Sequence, residues 1–113
     1  MFAAQHQLDN LTLIIDNNRL CMLDFSTNII SVEPFESRFK AFGWQTGRVN
    51  GHDLKELCSA LTELKHRGAT GRPSVLIADT IKGRGVPELE CDSLCHIRTL
   101  SPAEIDRAIK SMP

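Results

Sequence analysis

The sequence predicts an α/β fold: a parallel sheet with flanking helices. Three observations lead to it. Short apolar runs end in polar turn formers, which is how strands covered on both faces read. Longer stretches between them carry apolar residues at helical spacing. The two kinds of segment alternate along the chain, as they do in layered α/β proteins.

The first run, Leu11-Thr12-Leu13-Ile14-Ile15, contains β-branched residues and ends in Asp16-Asn17-Asn18. It reads as a strand buried on both faces. Pro34 suits the first turn of a helix. Phe35, Phe39 and Phe42 then follow at spacings of four and three, giving one apolar face that stops at Gly43. Trp44 to Val49 is a weaker strand. Asp53 can cap the next helix, and Glu56 three residues later can complete a capping box. Leu54, Leu57, Cys58, Leu61 and Leu64 form its apolar stripe, and Gly68 ends it. Ser74 to Thr80 reads as a second strand buried on both faces. Ser101-Pro102-Ala103-Glu104 opens a last helix with a capping box and Pro at its first position, and Ile105, Ala108, Ile109 and Met112 give it an apolar face. Three strands are few for such a layer. The outer ones leave backbone groups unpaired, so the chain is expected to be part of a larger sheet or to dock on a partner.

At 113 residues the chain has the length of one ordinary domain, and a large multidomain enzyme within it is excluded. Hydrophobic residues make up 42% and charged residues 24%, which argues against disorder. Lys and Arg total 13 against 14 Asp and Glu. That balance offers no bulk attraction to nucleic acid or to an anionic membrane, and neither partner is expected. Cys21, Cys58, Cys91 and Cys95 are scattered, no secretory signal precedes them, and no apolar stretch approaches a membrane span. A cytoplasmic protein with reduced thiols is expected.

Several polar segments sit where chemistry is carried in α/β proteins, beyond the carboxyl ends of strands. Asp16-Asn17-Asn18 supplies hard oxygen donors suited to Mg²⁺ or Ca²⁺ with a phosphate, although a plain polar turn has the same composition. Lys82-Gly83-Arg84-Gly85 joins glycines that admit a ligand to cations that attract phosphate, in a spacing that is neither a Walker sequence nor a dinucleotide fingerprint. Gly51-His52-Asp53 reads as a turn and an N-cap. Cys91, Cys95 and His96 raise the thought of zinc, but a second pair of ligands is missing. His6 and His66 fall on predicted helices facing solvent.

Taken in order, Phe2-Ala3-Ala4, Leu8-Asp9-Asn10-Leu11, Ile15-Asp16-Asn17-Asn18, Phe39-Lys40-Ala41-Phe42-Gly43-Trp44, Asn50-Gly51-His52-Asp53 and Thr80-Ile81-Lys82-Gly83-Arg84-Gly85 resemble the C-terminal half of the transketolase thiamine-diphosphate-binding domain. The resemblance runs over 1–113 and implies one partial domain of that fold. The decarboxylating component of 2-oxo acid dehydrogenases is a related resemblance, and the Lys82-Gly83-Arg84-Gly85 and Phe42-Gly43-Trp44 segments fit transketolase better.

The resemblance implies a thiamine-diphosphate-dependent transferase moving a two-carbon ketol or acyl unit between small sugars or oxo acids. It implies thiamine diphosphate and Mg²⁺ (or Ca²⁺) as cofactors. Asn18 and the Leu20 carbonyl would hold the metal, Lys82 would lie near the cofactor, and His96 would approach the diphosphate and the substrate as a catalytic residue. The family's Gly-Asp-Gly segment, which gives the metal an Asp, lies upstream of Met1, and Cys95-His96-Ile97 stands where the family has Trp-His-Gly. Two partners are therefore expected in a hetero-oligomer: a subunit carrying the pyrimidine-binding domain, and a chain supplying the upstream half of the thiamine motif. Without them the chain is expected to be inactive. The alternative is a noncatalytic remnant or interaction module that keeps the fold without binding cofactor.

Overall fold

The computed structural model describes residues 1–66 and 70–111. Its elements are α1 (Phe2–Gln5), β1 (Thr12–Asn17), α2 (Ser26–Ile29), α3 (Phe35–Ala41), β2 (Gln45–Asn50), α4 (Leu54–His66), β3 (Ser74–Asp79) and α5 (Pro102–Ser111). The three strands form one parallel sheet in the order β1-β3-β2. Thr12 and Gln45 both pair with Ser74, and Asn17 and Asn50 both pair with Asp79. The expected α/β layer with a parallel sheet is therefore present.

The chain divides into two compact units, 1–17 with 32–80 and 18–31 with 81–113. The first holds the sheet, α1, α3 and α4. Its core is Val49, Leu76 and Ala78, against which Leu57, Ala60 and Leu64 of α4 pack. β3 lies in the middle and is buried along almost its whole length, as its apolar run predicts.

β1 departs from expectation. It is an edge strand, and from Thr12 to Asp16 its residues are exposed or half-buried. The apolar run reflects what the strand needs to cover, and in this structure Leu13 and Ile14 remain exposed. Asp16 and Asn17, read as turn formers, lie inside the strand because the ladder with β3 continues to Asp79.

The helices show smaller corrections. Pro34 sits at the N-cap of α3 after a cis Glu33–Pro34 bond, not in the first turn, and Gly43 stops the helix with a φ of +85°. Asp53 caps α4 as expected: its Oδ1 accepts the Lys55 and Glu56 N–H groups at 2.9 and 3.1 Å. Glu56 does not close the capping box. Its Oε2 accepts the Asn50 N–H instead, at 2.9 Å, while the Asp53 N–H donates to the Asn50 carbonyl. Leu54 and Leu61 of the expected stripe are exposed, because the sheet meets α4 along Leu57, Ala60 and Leu64. Gly68 lies outside the described residues.

In the second unit, Ser101 and Glu104 form the expected capping box, the Ser101 N–H donating to Glu104 Oε2 at 2.8 Å and the Glu104 N–H to Ser101 Oγ at 3.4 Å. The Ser101 N–H and hydroxyl pull the Glu104 carboxyl down to about 2. Of the expected apolar face of α5, Ala108 is buried while Ile105 and Ile109 are exposed, and Met112 lies outside the described residues. α1 and α2 are single turns: the helix expected at His6 ends at Gln5, with His6 exposed at its C-cap, and α2 has no periodicity to predict it.

Candidate functional site

All four residues singled out for cofactor or metal fall in the second unit. They form two pairs. Asn18 follows directly on β1 and opens a turn. Its Oδ1 accepts the Leu20 N–H at 3.0 Å, and Arg19 between them takes a φ of +62°. An Asn side chain capping the backbone two residues on is a standard way to stabilise such a turn. The Ser26 N–H donates to the Arg19 carbonyl at 2.9 Å, and Leu20 pairs with Phe25 in an isolated antiparallel bridge. The two proposed metal-ligating residues are thus held in one short turn.

The second pair is Lys82 and His96. Lys82 Nζ lies 3.4 Å from His96 Nδ1 and donates to the Ser93 carbonyl at 3.1 Å. The Lys82 carbonyl accepts the Cys91 N–H at 3.0 Å. Lys82 is therefore tied to the segment 91–96 through both its backbone and its side chain. Gly83, with a φ of +77°, allows this closure: a Cβ there would run into the Leu89 carbonyl. The Leu94 N–H and Arg98 hold the Asp92 carboxyl below the usual carboxylate range, and the Lys82 charge adds to the effect. The Asn18 turn and the Lys82–His96 pair rest on different hydrogen bonds.

The donor chemistry can be tested against a hard divalent cation. Such ions take oxygen ligands, and an Asn amide oxygen and a backbone carbonyl are of that class. Asn18 Oδ1 spends one lone pair on Leu20 and keeps another. Two neutral oxygens are a partial set, so they would suit the ion only in a site completed by further, charged oxygen ligands. Among the described residues no group of three or more His, Cys, Asp or Glu stands together as a metal site. Cys91 and Cys95 are free thiols, and His96 contacts Lys82.

A network in the first unit escaped the sequence reading. Arg48 donates from Nε to Asp79 Oδ2 at 2.8 Å, from Nη1 to Glu36 Oε1 at 3.0 Å, and from Nη2 to Glu33 Oε1. The buried Asn17 donates from Nδ2 to Asp79 Oδ1 at 2.7 Å and to Glu33 Oε1 at 3.0 Å. Burial alone would push the Glu33 carboxyl up, but the Phe35 N–H, Arg48 and Asn17 together hold it below the usual range. Asp79 and Glu33 raise the Arg48 pKa, Asp79 most strongly. No acid stands beside Arg48 in the chain, so the sequence around it, Gly47-Arg48-Val49, carries no signal of these partners. Thr80 also donates a short hydrogen bond to Asp16.

Comparison with known proteins gives a consistent result. The family model for the transketolase thiamine diphosphate binding domain matches residues 1–112. A transketolase from Mus musculus is 36% identical over 111 residues, which cover 98% of this chain and 17% of that protein. One of the subunits of apulose-4-phosphate transketolase from Actinobacillus succinogenes is 30% identical over 110 residues, covering 97% of this chain and 39% of the relative. The crystal structure of a transketolase from Campylobacter jejuni superposes with a TM-score of 0.85 at 31% identity, over 96% of this chain and 17% of the other. The chain therefore spans well under half the length of these relatives. No helix among the described residues is long and apolar enough to cross a membrane.

Proposed function

The chain belongs to the transketolase thiamine-diphosphate-binding family, and we propose that it serves as part or subunit of an enzyme that transfers a two-carbon ketol or acyl unit between small sugars or oxo acids. The observation that carries this reading is the pairing of the candidate residues inside one unit: Asn18 with Leu20 in a single turn, and Lys82 with His96 at 3.4 Å.

In this reading Asn18 Oδ1 and the Leu20 carbonyl hold Mg²⁺ (or Ca²⁺). Lys82 supplies positive charge beside the diphosphate, which suits an ammonium on a flexible stem. His96 approaches the diphosphate and the substrate. Thiamine diphosphate, when bound, supplies the carbanion-stabilising chemistry, and the protein binds, orients and excludes water.

Two partners complete the enzyme: a subunit with the pyrimidine-binding domain, and a polypeptide bringing the metal's acidic ligand. A hetero-oligomer of this kind is supported by the likeness to the Actinobacillus relative, whose name makes it one subunit of a transketolase. The uncovered edge strand β1, with Leu13 and Ile14 exposed, supports it as well. We place the assembly in the cytoplasm and expect the chain alone to be inactive.

The rival reading, a noncatalytic remnant or interaction module that keeps the fold without binding cofactor, draws on the missing acidic ligand: among the described residues no cluster of His, Cys, Asp or Glu completes a metal site. Mixing the chain with Mg²⁺ and thiamine diphosphate, with and without candidate companion subunits, separates the two. Ketol transfer that appears only in the complete mixture supports the enzyme. No transfer and no calorimetric binding in any mixture supports the module.

A further inference from the structure

Within the candidate set Lys82 is the residue that touches His96, and the kind of contact matters. A Lys ammonium is a donor with no acceptor. In an uncharged imidazole one ring nitrogen carries the hydrogen and the other accepts, and the partner of one nitrogen decides which is which. Lys82 Nζ faces His96 Nδ1 at 3.4 Å, so Nδ1 must be the acceptor and Nε2 must carry the hydrogen. Nζ is not free to swing away without loss, because it also donates to the Ser93 carbonyl at 3.1 Å. The backbone closes the arrangement from the other side: the Cys91 N–H donates to the Lys82 carbonyl at 3.0 Å, and Gly83 lies too close to the Leu89 carbonyl to tolerate a Cβ.

We propose that Lys82 is a positioning residue that fixes His96 as the Nε2–H tautomer, so that His96 serves its ligand as a hydrogen-bond donor and not as a base. A ring capped at Nδ1 by an ammonium has no acceptor left. It can donate from Nε2 to a phosphate or carbonyl oxygen, but it cannot take a proton from substrate without first breaking its contact with Lys82. The functional sense of this rests on the thiamine diphosphate reading above, whereas the tautomer is a property of the chain alone.

Nitrogen-15 NMR of the ring in the full chain, without cofactor, tests it at a pH where the ring is uncharged. The wild type is expected to show a protonated Nε2 and an accepting Nδ1, with the Nδ1–H form below detection. Lys82→Met should bring in a measurable fraction of Nδ1–H, and Lys82→Arg should restore the wild-type pattern. Amide spectra of α5, in the same unit as Lys82 and His96, and of β3 report whether the variants keep the fold. A wild-type ring with Nδ1–H, or the same tautomer mixture in the wild type and in a folded Lys82→Met, overturns the inference. Failure of the chain and its companions to bind thiamine diphosphate would instead overturn the cofactor reading and leave the spectra unchanged.

Discussion

β1 and β3 are built from the same kind of sequence and lie side by side, yet they are held in different ways. Val75, Leu76 and Ile77 of β3 are 0%, 1% and 0% exposed, whereas Leu13 and Ile14 of β1 are 38% and 52% exposed. β3 sits between two strands, and α3 and α4 pack against it. β1 has one strand neighbour, and its buried residue is Asn17, at its carboxyl end. The central strand is therefore held by hydrocarbon burial. The edge strand is held by its ladder and by one amide clasped between Glu33 and Asp79. An apolar run states what a strand must cover; its place in the sheet decides whether this chain covers it.

The comparison can be broken most easily at β3. Leu76→Ala removes a fully buried side chain from the core and is expected to cost about 2–5 kcal/mol in denaturant unfolding. Asn17→Ala should rank second, at about 1–2 kcal/mol, because it leaves two carboxylates beside Arg48 without their shared amide donor. Ile14→Ala should rank last among these, within about 0.5 kcal/mol, as its side chain is already half in water. If Ile14→Ala proves as costly as Leu76→Ala, the edge strand is covered in solution and the contrast fails.

Acid sharpens the same contrast with a smaller effect. The folded state holds the Glu33 carboxyl below its ordinary value. A group of that kind contributes stability that is present above its unfolded pKa and is lost as the pH falls through the folded one. The protection factors of amides near Asn17, which allow for the fall of intrinsic exchange with pH, should therefore drop on acidification before those at Leu76 and Ile77 do. Equal loss of protection at both places would mean that the Glu33 clasp is not what anchors the end of β1.

Much of this was readable in the residues. The buried strand at Ser74, the Asp53 cap, the Ser101–Glu104 box and the stop at Gly43 are local patterns, and each has a local physical cause. What escaped was set by distant parts of the chain. The exposure of β1 depends on which strand lies at the centre. Glu56 turns to the Asn50 N–H because the end of β2 lies within its reach. Arg48 gathers Glu33, Glu36 and Asp79 from three other segments, and no spacing along the chain announces that. The candidate site divides in the same way. Asn18 and Leu20 are neighbours in sequence and their turn was foreseeable. Lys82 and His96 stand fourteen residues apart, and folding alone reveals that one faces the other.

The central claim is that this chain contributes metal and diphosphate ligands to a thiamine-diphosphate enzyme. Calorimetric titration of thiamine diphosphate into the chain with its companion subunits, with and without Mg²⁺, compared between the wild type and Asn18→Ala, tests it most directly. Saturable binding that requires Mg²⁺ and weakens at least about tenfold in the variant, on the order of 1.4 kcal/mol, is the expected result. Binding of equal strength in both proteins, or none in the complete wild-type mixture, would contradict the claim.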